Sequence, residues 1–146
     1  MLRQPTFLLL IICIIASCYN ATDNNSTKIN NKMSNKKVVE TYMDGFNTGD
    51  HAKILSCLTD DIIWDVQGAF HIQGKNNFDK NIENDAFEGS PTIKIIRLIE
   101  DENIVVAEGT VKSKMKNGGL MDAVFCEIFH FENGKIKQLT TYHINK

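Results

Sequence analysis

The stretch from Leu120 to His143 constrains this chain more than any other. Two β-rich runs flank Glu132-Asn133-Gly134-Lys135, and Asn-Gly is the strongest short hairpin signal because both residues tolerate positive φ. Side chains alternate across a strand. One face of the first run therefore carries Met121, Ala123, Phe125, Glu127, Phe129 and Phe131. That face is apolar and aromatic, with one carboxylate in its middle. A lone acid in such a place is either a pocket group or an edge residue turned to water.

The segments before the hairpin read as helices and then strands. Val38, Val39, Tyr42, Met43 and Phe46 recur at helical spacing. Asn47-Thr48-Gly49 ends that helix, with Gly49 suited to a left-handed C-terminal position. Asp50 is a natural N-cap for a second short helix that buries Ile54, Leu55 and Leu58, and Thr59-Asp60-Asp61 breaks it. Ile62 to Gln67 is the first strand, with Ile62, Trp64 and Val66 on one face. Gly68 to Gly74 reads as a turn-rich connection holding His71, and Lys75 to Phe87 as a third helix with Phe78, Ile82 and Ala86 on one side. Gly89-Ser90-Pro91 closes that helix. Strands follow over Thr92 to Ile99 and Ile104 to Lys114, separated by Glu100-Asp101-Glu102-Asn103. Late strands joined by short turns make an antiparallel sheet whose one face the helices cover, an α+β architecture.

Composition sets the class. The chain has 146 residues, 42% hydrophobic and 23% charged, which suits one globular domain. The formal net charge is −2 and Lys and Arg form no basic stripe, which argues against nucleic acid as a partner. At the N-terminus Arg3 precedes a ten-residue apolar run, Phe7 to Ala16. That run is too short for a hydrocarbon core of roughly 30 Å, and the combination is a secretory signal. It ends in Ile15-Ala16-Ser17-Cys18, which resembles the lipobox of bacterial lipoproteins, with Cys18 as the lipidated residue; an ordinary cleaved signal ending near a cysteine is the alternative. Residues 19–35 are rich in Asn, Ser, Thr and Lys and cannot bury enough surface to order themselves. The expected organisation is a lipoprotein signal over residues 1–18, a tether over 19–35 and a folded domain over 36–146. The expected location is the cell envelope, periplasmic or outer-membrane anchored, with the membrane reached through the lipid alone. Cys57 and Cys126 sit among apolar residues as small hydrophobes; an exported protein could pair them, but their spacing does not demand it. No CxxC or Cys/His cluster points to a metal, and nothing calls for a cofactor.

Tyr42 and Phe46 before Gly49-Asp50, Leu58-Thr59-Asp60-Asp61, Gly74-Lys75, Phe129 to Ile136 and Thr141-Tyr142 together give the chain a family likeness. Over residues 36–146 it resembles the SnoaL-like group of the nuclear-transport-factor-2-like superfamily. The resemblance implies the cone fold of ketosteroid isomerases, with three N-terminal helices on a curved, mostly antiparallel sheet, and it implies dimers. That fold hosts isomerases, cyclases, dehydratases, hydrolases and non-catalytic binders, so it does not assign a reaction. By the same resemblance Tyr42 stands at the pocket tyrosine, Glu127 at a protonated acid beside it, and His143 at a pocket-lining aromatic. The family's general-base aspartate falls at Val66, and valine cannot move a proton.

These readings give Glu127, His143 and Tyr42 as the candidate catalytic set and Trp64, Phe46, Val66, Phe78, Phe125 and His71 as candidate ligand-binding residues. Glu127 on an aromatic face should be desolvated and hold its proton, with Tyr42 or His143 as its hydrogen-bond partner; half of an ion pair is the plain alternative. His143 can titrate near neutral pH. Tyr42 can equally be a core tyrosine, Trp64 core or pocket wall, and His71 a loop residue. Glu108 can face either side of its strand. Two functions remain open: a non-catalytic pocket for a small hydrophobic molecule or a partner protein at the cell envelope, and an acid–base enzyme acting on a small apolar ligand. The absent acid at Val66 leans toward the first. Ile95, Ile104, Val105 and Val124 are more apolar than a solvated sheet face requires, which suggests a homodimer through the outer surface.

Overall fold

Ser34 starts the first helix by accepting a hydrogen bond from the Lys37 amide, which satisfies one of the free donors of the opening turn. The computed structural model describes residues 33–146; the signal, the lipobox at Cys18 and most of the tether lie outside the described residues. Helix α1 runs Asn35–Thr48 and buries Val38, Val39, Tyr42 and Met43. Gly49 takes a left-handed φ of 66°, a conformation glycine adopts without a Cβ penalty. Asp50 then caps α2, His51–Ser56, accepting from the Lys53 amide at 2.9 Å. The two helices meet closely at Gly45, where a Cβ would lie 2.6 Å from Ile54 Cγ1.

The rest is one six-stranded sheet in the order β2-β1-β6-β5-β4-β3. The strands are β1 (Leu58–Val66), β2 (Phe70–Gln73), β3 (Phe87–Asp101), β4 (Ile104–Met115), β5 (Leu120–Glu132) and β6 (Lys135–Asn145). A short helix α3, Lys75–Asp79, follows β2. All neighbouring pairs are antiparallel except β1 with β6, which is parallel, so the sheet is mixed. The expected hairpin joins β5 to β6, with Asn133 and Gly134 at φ 52° and 77°, the geometry a tight turn of this hand needs.

Several boundaries differ from the sequence reading. Leu58 and Thr59-Asp60-Asp61 belong to β1, not to a helix end. Leu58 pairs with Ile136 on β6, while Asp60 and Asp61 turn to water and meet Lys75 and Lys137. The expected turn over Gly68–Gly74 contains β2. The expected helix from Lys75 to Phe87 stops at Asp79, so Ile82 and Ala86 lie beyond it. The segment is asparagine-rich, and the Asn77 and Asn81 amides donate to the carbonyls of Gln73 and Asn77, offering the backbone a competitor to helix. Gly89-Ser90-Pro91 lies inside β3, where pairing is irregular between Glu88 and Thr92. Proline is tolerated there because β3 is the sheet's edge.

The core lies between α1, α2, α3 and one face of the sheet. Phe78, Phe129, Ile54, Leu58, Ile62, Ile136 and Leu139 are fully buried in it. Val105 is fully buried and Ile95 packs against the core, so neither lies on the outer face where the sequence reading put them. The outer face instead carries Ile96, Ile99, Ile104, Val124 and Ile144 among its exposed apolar residues. Cys57 is buried, Cys126 is exposed, and both are free thiols.

Candidate functional site

A cavity of about 930 Å³ opens between the helical side and the inner sheet face. Three neighbouring strands build its floor. Register places Thr141 of β6 opposite both Glu127 of β5 and Val66 of β1. Trp64 sits two residues before Val66 and so shares its face. Trp64 Nε1 donates to Thr141 Oγ1 at 3.1 Å, and Thr141 Oγ1 donates to Glu127 Oε1 at 3.0 Å. Oε2 of the same carboxyl is closed off from water and has no hydrogen-bond partner.

That environment determines the acid's chemistry. Burial pushes the Glu127 carboxyl up to about 7, with the Thr141 hydrogen bond pulling the other way. Ionisation would place a charge in a site that supplies one donor and no cation. Among the described residues Glu127 is in no ion pair, so the structural ion-pair alternative does not apply. A group near 7 can hold or release a proton at physiological pH.

Of the expected residues, Phe46, Trp64, Val66, Phe125, Glu127 and His143 line the cavity. The other three do not. Phe78 is fully buried behind Trp64, its ring stacked at 4.7 Å. Tyr42 is buried in the core, edge-on to Phe46, Phe78 and Phe129. Burial, then the nearby Glu127 and Cys57 charges, raise its phenol well above the ordinary value, but it makes no hydrogen bond to Glu127. His71 is exposed on β2 and pairs with Asp65 across the β1–β2 ladder, on the face opposite Trp64 and Val66. His143 is exposed, opposite Phe125, and makes no hydrogen bond to Glu127 either. The expected partners Tyr42 and His143 are thus replaced by Thr141. Glu108 faces outward and pairs with Arg97.

Thr141 and His51 are lining residues that the sequence reading missed. Thr141 is hidden by a one-residue slip. Pairing runs Glu132 with Lys135 and Phe131 with Ile136, then shifts so that His130 meets Gln138. An unbroken hairpin would set Thr140 opposite Glu127; the irregularity puts Thr141 there and turns it inward. His51 is the other. Its Nδ1 lies 2.7 Å from Asp79 Oδ1 and its Nε2 3.5 Å from Glu83 Oε1. The hydrogen bond to Asp79 is the main cause of a raised His51 pKa, and a ring with a carboxylate at each nitrogen favours the imidazolium. No sequence spacing signals this, because Asp79 arrives from the end of α3.

The mouth also carries Glu83, Asp85, Glu88 and Lys116. Among the described residues no group of three or more His, Cys, Asp or Glu is placed to hold a metal. No described helix is long and apolar enough to cross a membrane.

The model of the SnoaL-like domain family matches residues 39–139. No curated protein matches the chain. Among solved structures, an NTF2-like protein of unknown function from Burkholderia pseudomallei K96243 aligns with a TM-score of 0.68 at 20% identity, covering 77% of this chain and 92% of that one. An LEH-like epoxide hydrolase of M. tuberculosis aligns with a TM-score of 0.68 at 19% identity, covering 75% and 82%. An NTF-2 like protein of unknown function from Burkholderia xenovorans LB400 gives 0.64 at 22%, covering 77% and 84%. At these identities the likeness is one of fold.

Proposed function

The chain belongs to the SnoaL-like domain family, and from that premise we propose that it binds a small hydrophobic molecule in its cavity without turning it over. The observation that carries this is the isolation of Glu127. It is the acid of the cavity floor, and its hydrogen-bond partner is the non-titrating Thr141. Two titratable side chains converging within hydrogen-bond reach would favour proton exchange between them. Tyr42 and His143 do not meet Glu127. The apolar wall of Met43, Phe46, Trp64, Val66 and Phe125 suits an apolar ligand.

A second reading keeps Glu127 as a single general acid or base, with His143 and Tyr42 as its expected helpers. Its pKa near 7 favours this. We further propose that the domain is exported and held at the cell envelope by a lipid on Cys18. We also propose that it forms a homodimer through the outer sheet face around Ile99, Ile104 and Val124. Cys18→Ser should release it from the membrane fraction, and sedimentation should give a dimer at micromolar concentration.

Trp64 is the only tryptophan and lines the cavity, so its emission reports occupancy. Small apolar ligands should shift it saturably at one site per chain, and Phe125→Ala should weaken the response. If none of a broad set of such ligands perturbs Trp64, the binding reading fails. Turnover of a bound ligand, lost in Glu127→Gln, would select the enzyme reading.

A further inference from the structure

Resting on that binding reading, we propose that the cavity accepts an apolar organic cation, an amine or quaternary ammonium, with its rings or alkyl groups on the aromatic wall and its charge at Glu127. Trp64 Nε1 can only donate, so Thr141 accepts from it and is free to donate its own hydroxyl proton to Glu127 Oε1. That leaves Oε2 unpartnered and closed off from water, while Glu127 itself is only half-buried and lines the cavity. A carboxyl in this position either holds a proton on Oε2 or meets a cation. The protein supplies no cation there. His51 is engaged by Asp79 and Glu83, Lys116 lies 3.9 Å from Asp85, and His143 forms no pair with the acid. The ligand is the remaining source.

Two further features select a cation over a neutral donor. Among the described residues lining the cavity, four are acids, Glu83, Asp85, Glu88 and Glu127, against Lys116 and the His51 imidazolium; the remaining excess of acid favours cations at the opening. The wall also presents the rings of Phe46, Trp64, Phe70, Phe87 and Phe125. Aromatic faces, tryptophan above all, attract organic cations that have shed water. Trp64 is held in place by Phe78, stacked on one of its faces, and by a T-shaped contact with Phe70 at 5.0 Å.

The test uses benzyltrimethylammonium, which carries a permanent charge, and benzyl alcohol, which carries none. Each is titrated into the processed protein at pH 6 and pH 8 while Trp64 emission is followed. Glu127 titrates near 7, so the cation should bind up to about tenfold tighter at pH 8 than at pH 6, and the alcohol equally at both. The His51 ring, held by Asp79 and Glu83, and the His143 ring also line the cavity. Glu127→Gln separates their effect: it should still bind the alcohol, and the cation's pH dependence should shrink to whatever the histidines supply. Alcohol binding as tight as the cation's at pH 8 in the wild type overturns the charge inference and leaves the cavity reading standing, with no need of the variant. Binding of neither probe overturns both. An undiminished pH dependence in Glu127→Gln overturns the assignment to Glu127.

Discussion

Two glutamates on adjacent strands of one sheet show how differently the same side chain can behave. Glu108 on β4 stands opposite Cys126, and its neighbour Ala107 stands opposite Glu127, so the two acids lie one residue out of phase. Glu108 therefore faces outward, where the Arg97 Nε–H donates to it at 2.9 Å in open solvent. Glu127 faces inward onto Phe125 and Phe129, with one hydrogen bond and no cation. An exposed ion pair is worth little, about 0–1 kcal/mol. A buried unpaired carboxyl changes its ionisation instead. Parity along the strand, not residue type, separates the inert acid from the chemically poised one.

The contrast is broken most severely from the inner side. Phe129 is fully buried beside Glu127, and Phe129→Ala should cost about 3–5 kcal/mol through lost burial and the cavity left behind. Ile96→Ala, at a residue 63% exposed on the outer side, should stay within about 0.5 kcal/mol. Chemical denaturation of the two variants checks this; equal costs would mean the faces are misassigned. Next in size is Thr141→Val. It removes the acceptor for Trp64 Nε1 and the donor to Glu127, leaving buried polar groups unpaired at about 1–3 kcal/mol. Because Thr141 holds the Glu127 pKa down, the variant's carboxyl should titrate higher than the wild type's, as carboxyl-carbon NMR would show; an unchanged titration would remove Thr141 from the account. The smallest effect belongs to Glu108→Gln, expected below about 1 kcal/mol and fading further in salt.

The inner–outer division was largely legible in the sequence. Alternation in Leu120–Phe131 put Glu127 among aromatic residues, and Asn133-Gly134 located the turn that brings β6 alongside. Fold class followed from the order of helices and strands. Pairwise register was not legible. The slip between His130 and Phe131 turns Thr141 inward in place of Thr140, and nothing in Thr140-Thr141 distinguishes them. The same limit misplaced Ile95 and Val105, because the phase of β3 and β4 relative to β5 depends on the register across two turns and on the irregularity between Ile95 and Arg97. Tyr42 and Phe78 had the right periodicity for helix burial but lie one layer behind the cavity wall, a matter of packing depth that periodicity does not encode. His71 was read in a turn-rich connection as a candidate ligand contact, but the β1–β2 ladder pairs it outward with Asp65.

The central claim is that Glu127, half-buried with its Oε2 closed off from water, has no charge partner, and the stability of wild type and Glu127→Gln across pH tests it most directly. A carboxyl raised from 4.5 to about 7 by folding binds its proton more tightly in the native state than in the unfolded one. Its contribution is then fully present below pH 4.5 and is lost as pH rises through 7, by about 3 kcal/mol in total. Subtracting the variant's curve from the wild type's cancels the other titrating groups. The account predicts a difference that falls between pH 5 and pH 8, leaving Glu127→Gln as stable as the wild type or more so at pH 8. A variant destabilised by several kcal/mol at pH 8, or a difference that rises with pH, would mean that Glu127 is ionised and paired in the native protein, and would contradict it.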